Sequence, residues 1–230
     1  MNLNQYIEHT LVKADCSAAE IEQKCQEALT EGFYAVCIPP YHVKRAHRTL
    51  NGTPVKIVSV VGYPFGYAPT PVKVAEIMKV IEYGADEIDA AINISAIKSE
   101  DWNYVRNDID SMSTAVRIRG KVIKFILQID LLTLVEMEKL ASICQEMQIG
   151  YITIATALLK EESLLKTVQL LKEILPSNVK IKIAGQIKTL SLVERLLAGG
   201  VDRLEYPGHA IIEQSNSTVE VSNGSVRPLA

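Results

Sequence analysis

Asp89, Lys124 and Lys182 are the residues whose types and placement could move protons at a carbonyl compound. Each ends or sits within a short apolar or β-branched run: Ala85-Asp-Glu-Ile-Asp89, Val122–Asp130 and Val179-Lys-Ile-Lys182. In a strand, successive side chains alternate between faces. Glu87, Asp89, Ala91 and Asn93 therefore share a face, as do Lys124, Ile126, Gln128 and Asp130, and as do Lys180, Lys182 and Ala184. With those faces turned inward, one acid and two amines meet in an apolar interior, where they must compensate one another. A neutral amine can attack a carbonyl, and a charged amine or a carboxylate can relay protons. Lys182 is the candidate nucleophile, because a neighbouring Lys124 cation and partial desolvation are expected to lower its pKa. The plainer alternative is a Lys182–Asp89 ion pair.

Asp130 could exchange a proton with a bound carbonyl or enol at the end of its strand, or cap a helix beginning at Leu131. Gln128 could hydrogen-bond a substrate oxygen or simply fill the interior. Tyr63, Phe65 and Tyr67 could form an aromatic wall or anchor their loop. Cys37, inside an apolar run, reads as packing. His9, His42, His47 and His209 are dispersed without metal-ligand spacing. No metal site is expected.

The elements that would position these residues repeat along the chain. Eight candidate strands fall near His9–Lys13, Tyr34–Ile38, Lys56–Gly62, Glu87–Asn93, Val122–Asp130, Tyr151–Thr156, Val179–Ala184 and Asp202–Tyr206. Each but the last is followed by an amphipathic stretch, the pattern of parallel βαβ units. Eight such units close a (β/α)8 TIM barrel, whose active sites lie at the carboxyl ends of the strands. Ser17 with Glu20, and Thr133 with Glu136, have capping-box spacing, while Gly32, Gly84, Gly150 and Gly200 punctuate the helix ends. An open doubly wound sheet is the alternative, but no GxGxxG follows the first strand. The expectation is one barrel domain over residues 1–213. The tail over residues 214–230 is rich in Ser, Asn, Val and Gly and should pack loosely.

Composition narrows the partners. In 230 residues, 48% are hydrophobic and the formal net charge is -3. That is enough apolar content for one large core, and no dense Lys/Arg stripe suggests a nucleic-acid or anionic-membrane binder. The four cysteines lack CxxC spacing, which fits reduced thiols in the cytoplasm. No apolar run approaches the ~18 residues of a membrane span. The expected partner is a small molecule.

The strings His9-Thr-Leu-Val-Lys13, Val36-Cys-Ile-Pro39, Val61-Gly-Tyr-Pro-Phe-Gly66, Ala85-Asp-Glu-Ile-Asp89, Leu131-Leu-Thr133 and Ile181-Lys182, in that order, resemble the deoxyribose-phosphate aldolases. The resemblance implies a cofactor-free class I aldolase barrel in which a sixth-strand lysine forms an imine with an aldehyde. It also implies proton relay by a fourth-strand aspartate and a seventh-strand lysine, matching Asp89 and Lys182, with a fifth-strand lysine matching Lys124. Homo-oligomerisation through the outer helices is implied as well.

Departures from that family cluster at the strand ends. Thr153 stands at the imine-forming lysine, and threonine cannot make that intermediate. The family's Ser-Thr-Gly becomes Ala155-Thr-Ala157, its Ser-Gly-Gly becomes Ala184-Gly-Gln186, and its eighth-strand Gly-x-Ser-Ser region becomes Glu205-Tyr-Pro-Gly208. Such glycine and serine segments hold a phosphate at a helix start, and Glu205 would repel one. Gln128, Thr153, Gln186, Glu205 and Tyr206 are the candidate substrate contacts. These features predict an aldolase-like enzyme acting on a non-phosphorylated carbonyl compound, making, breaking or rearranging a C–C bond by enol or iminium chemistry. A noncovalent acid–base cyclase or isomerase and an inactive pseudoaldolase are the alternatives.

Overall fold

Ser17 and Thr133 each accept a hydrogen bond from the backbone of the glutamate three residues on, and each glutamate reaches back to the cap. These two capping boxes start helices where the sequence places them. A computed structural model describes residues 2–156, 159–185, 187 and 189–206. In it, strands β1 (Ile7–Thr10), β2 (Ala35–Ile38), β3 (Lys56–Val61), β4 (Glu87–Ala91), β5 (Val122–Gln128), β6 (Tyr151–Thr156), β7 (Lys180–Gly185) and β8 (Arg203–Tyr206) form a closed barrel in sequence order. All pairings are parallel, and β8 returns to β1 through the register Glu8↔Glu205. This is the expected (β/α)8 barrel. The tail over residues 214–230 lies outside the described residues.

The helices are α1 (Ala18–Glu31), α2 (Val43–Leu50), α3 (Thr70–Glu82), α4 (Ile94–Lys98), α5 (Trp102–Arg117), α6 (Leu134–Glu146), α7 (Glu161–Ile174) and α8 (Leu190–Ala198). Strand parity divides the buried apolar residues into two groups. One set, including Val36, Ile57, Ile88, Phe125, Ile152, Ile181 and Leu204, belongs to the large core shared with the helices. A small separate cluster of Ala35, Cys37, Val58 and Val60 lines the barrel interior. Burying each large aliphatic side chain of the outer layer contributes roughly 1.5–3 kcal/mol, which fixes the barrel as a rigid frame.

Two details position the mouth. Lys73 on α3 is fully buried and salt-bridged to Asp108 on α5, while its ammonium also donates to the Gly66 carbonyl at 2.9 Å. The loop after β3 is thereby tied to the helices behind it. Gly66 has φ +67°, and a Cβ there would lie 2.2 Å from the Ile92 carbonyl oxygen. Only glycine permits that approach.

One boundary differs from expectation. The first strand spans Ile7–Thr10 rather than His9–Lys13, and Leu11 continues from it only through a bond from its N–H to the Cys37 carbonyl. The apolar pair Leu11-Val12 belongs to the strand's exit, while charged Glu8 lies inside the strand. Among the described residues, all four cysteines are free and no helix is long and apolar enough to cross a membrane.

Candidate active site

Inward parity holds for the three residues that opened the sequence reading. Asp89, Lys124 and Lys182 are 2%, 0% and 1% exposed. Glu8 joins them at 0% exposure and changes the electrostatics of the group. Lys124 Nζ lies 2.5 Å from Glu8 Oε1, 2.8 Å from Glu87 Oε2 and 3.3 Å from Asp89 Oδ1. Lys182 Nζ donates to Glu8 Oε2 and, at 2.6 Å, to Asp89 Oδ2. Two ammoniums thus face three carboxylates, and Glu8 bridges both.

This arrangement reverses the pKa expected of Lys182. Burial lowers it, but Asp89 and Glu8 outweigh burial and raise it well above the ordinary lysine value. Lys124 is raised for the same reasons. Burial alone would push the Glu8 carboxyl up, yet the two ammoniums bring it down to about 2. Lys182 is therefore a cation in the resting protein, not a neutral nucleophile. The sequence reading missed Glu8 because it began the strand two residues too late.

Beneath this network, the Tyr34 hydroxyl donates a short hydrogen bond to Glu87, and the Arg203 guanidinium sits 3.6 Å from the Tyr34 ring centroid. Above it opens a lumen cavity of about 200 Å³, lined by Thr10, Cys37, Asp89, Thr153, Ala184 and Glu205 among others. Thr153 pairs in register with Ile126 on β5 and Lys182 on β7, and is 1% exposed. Among the described residues its Oγ is buried without a hydrogen-bond partner, and Asp89 Oδ1, also without a hydrogen bond, faces the Lys124 ammonium at 3.3 Å. Such oxygens are costly to leave unpaired, so this floor is suited to a polar group of a ligand. Lys182 touches Asp89 but does not line the cavity. Glu205 stands on the wall, and burial raises its pKa against the opposing pull of Lys182.

Other candidates are placed differently. Gln128 Nε2 donates to the Pro64 carbonyl at 3.1 Å, holding the loop after β3 rather than the cavity floor. Asp130 is exposed on the 3-10 turn Ile129–Leu131. It does not cap the following helix, because Thr133 does. Tyr206 ends β8, where its backbone pairs with His9. Gln186 and His209 lie outside the described residues. Burial raises the Cys37 thiol well above its ordinary pKa, consistent with inert packing. Glu8, Cys37 and Asp89 place potential ligand atoms within 4.8 Å of one another. Both carboxylates are already salt-bridged, and the thiol resists deprotonation, so the trio is poorly matched to a cation.

Residues 3–132 match the pattern of the DeoC/LacD family aldolases. Deoxyribose-phosphate aldolase 1 of Mesoplasma florum is 34% identical over 221 residues, covering 95% of this chain and 100% of that one. The chain belongs to the DeoC/LacD aldolase family. A second member, the deoxyribose-phosphate aldolase of Ureaplasma urealyticum serovar 10, is 39% identical over 86% of this chain and 92% of its own. Among solved structures, the tetrameric deoxyribose phosphate aldolase of Aeropyrum pernix superposes with a TM-score of 0.84 over 94% of this chain and 92% of that one. At 22% identity, that likeness speaks to the fold. Within the DeoC/LacD frame, the uncommitted Thr153 hydroxyl occupies the sixth-strand position where the resemblance puts the imine-forming amine.

Proposed function

We propose that this aldolase-family chain is an enzyme that enolises a non-phosphorylated carbonyl compound in the barrel lumen by noncovalent acid–base catalysis. The carrying observation is the pairing, on the floor of the cavity, of a Thr153 hydroxyl without a hydrogen-bond partner among the described residues with an Asp89 carboxylate whose Oδ2 is held by the Lys182 ammonium and whose Oδ1 makes no hydrogen bond, its Lys124 ion pair being the longer one at 3.3 Å. Asp89 Oδ1 accepts the proton from the carbon next to the carbonyl. Glu205, which holds its proton to higher pH than an ordinary glutamate, donates it to the carbonyl oxygen. The C–H bond electrons become the new C=C bond, and the product is the enol. Thr153 donates a hydrogen bond to the same substrate oxygen. Lys182 acts through Asp89, fixing the orientation of its carboxylate, while Lys124 has Glu8, Glu87 and Asp89 as partners and completes the platform.

The enol either regains a proton or attacks a second carbonyl to form a C–C bond. Reversal of the second step is aldol cleavage. Among the described residues no lysine or arginine lines the lumen cavity to take a phosphate dianion, which supports a non-phosphorylated substrate. The deciding experiment is α-proton exchange of simple aldehydes and ketones in D2O, followed by NMR. Exchange should be enzyme-dependent, lost in Asp89→Asn, and insensitive to borohydride, with no adduct on Lys182 by mass mapping. A borohydride-trapped Lys182 adduct formed during turnover would replace this mechanism with the covalent one. An absence of exchange for every carbonyl tested would leave the reading without support.

A further inference from the structure

Outside the lumen, a second and larger cavity of about 780 Å³ opens between the segment leaving β1 and the segment leaving β2. Val12, Val60 and Tyr63 line both cavities, so the two share a wall. The outer cleft is walled mainly by Val12, Ala14, Ala18, Pro40, Tyr41 and Tyr63. It also holds two cationic side chains, and both are neutralised from outside. Lys13 Nζ lies 2.6 Å from Glu20, and the Arg45 guanidinium lies 2.5 Å from Glu22. The cleft therefore presents mainly apolar surface, with both cations engaged in half-exposed ion pairs.

The two volumes divide the work. A cavity of about 200 Å³ accommodates a reacting carbonyl and its neighbouring carbons, whereas sites for whole organic ligands run to roughly 300–1,000 Å³. A short polar sugar would leave the larger, apolar compartment wet. We infer that the substrate is an elongated, uncharged carbonyl compound whose reacting end enters the lumen and whose apolar arm lies in the cleft between the β1 and β2 exits. The identification of the reacting end rests on the proposed function. The cleft and the wall it shares with the lumen do not.

The test is a binding series that requires no turnover. Methyl ketones from 2-butanone to 2-decanone are titrated against the full chain by saturation-transfer NMR. Affinity should climb about fourfold for each added methylene that enters the cleft. Ala14→Trp, at an exposed position on the cleft wall, should abolish that increment while melting like the wild type. Ala18→Trp, at the start of α1, serves as a second block. Wild-type affinity independent of chain length would overturn the inference. So would an undiminished increment in both folded tryptophan variants. 9-Oxodecanoic acid, as its carboxylate, should bind no tighter than 2-decanone, and markedly tighter binding would replace the uncharged arm with an anionic one. Chain-length dependence without α-proton exchange would sink the catalytic reading and leave the cleft assignment standing. Exchange without chain-length dependence would do the reverse.

Discussion

Glu8 determines what the other lumen charges can do. Without Glu8, Lys124 would keep Glu87 and a share of Asp89, while Lys182 would have Asp89 as its sole close carboxylate among the described residues. With Glu8 bridging both, each ammonium is matched and neither is a resting nucleophile. The same bridge makes stability depend on pH. The Glu8 carboxyl titrates at about 2 in the folded chain against an ordinary 4.5. A depressed carboxylate pKa stabilises the fold above the ordinary value, and that contribution fades as pH falls from about 5 toward 2, amounting to about 3 kcal/mol in full. In urea denaturation, wild type should exceed Glu8→Gln clearly at pH 7, and the gap should narrow steadily between pH 5 and 3. A gap that stays constant across that range would mean the shift does not exist. Glu205 titrates in the opposite sense. Its raised pKa predicts that α-proton exchange falls as the pH climbs and Glu205 ionises, and Glu205→Gln, which has no acidic proton to donate, should exchange weakly at every pH.

Individual strands and loops account for what could be read beforehand and what could not. The eight strands were legible because β-branched runs and helix caps recur with the right alternation. Asp89, Lys124 and Lys182 could be assigned inward by parity alone. Glu8 was hidden because β1 has four residues, and its apolar exit, Leu11-Val12, looked more strand-like than its charged middle. Asp130 shared the parity of Lys124, but β5 ends at Gln128 and the chain turns there, carrying Asp130 out to solvent. Parity is a property of continuous strand and fails where the strand stops. The outer cleft was invisible for a related reason: its walls come mainly from the segments that follow β1, β2 and β3, which only strand pairing brings together.

The loop after β3 offers a direct test of how the mouth is held. Gly66→Ala places a methyl group against the Ile92 carbonyl, whereas at Gly52, with φ +80°, a Cβ meets nothing within 4 Å. Both substitutions carry the left-handed backbone penalty, roughly 1 kcal/mol. Only Gly66→Ala should add a steric cost, so it should melt clearly lower than Gly52→Ala. It should also disturb the Lys73 and Gln128 contacts, visible as chemical-shift changes for Pro64 and its neighbours. Equal melting temperatures for the two variants would show that the loop yields without resistance.

Across the molecule as a whole, the ion network spans the chain almost end to end. Glu8 meets Lys124 across 116 residues and Lys182 across 174. Neither ammonium exists near Glu8 until five and seven strands, respectively, have been laid down. A nascent chain emerging from the ribosome therefore carries a carboxylate that cannot leave water until the late strands arrive. Barrel closure and charge neutralisation must then occur together, which ties folding to contacts of high sequence separation. Fragments ending before β7 should lack the cooperative unfolding transition of the full chain, however well their helices are capped. The first strand is synthesised early and acquires its counter-ions last.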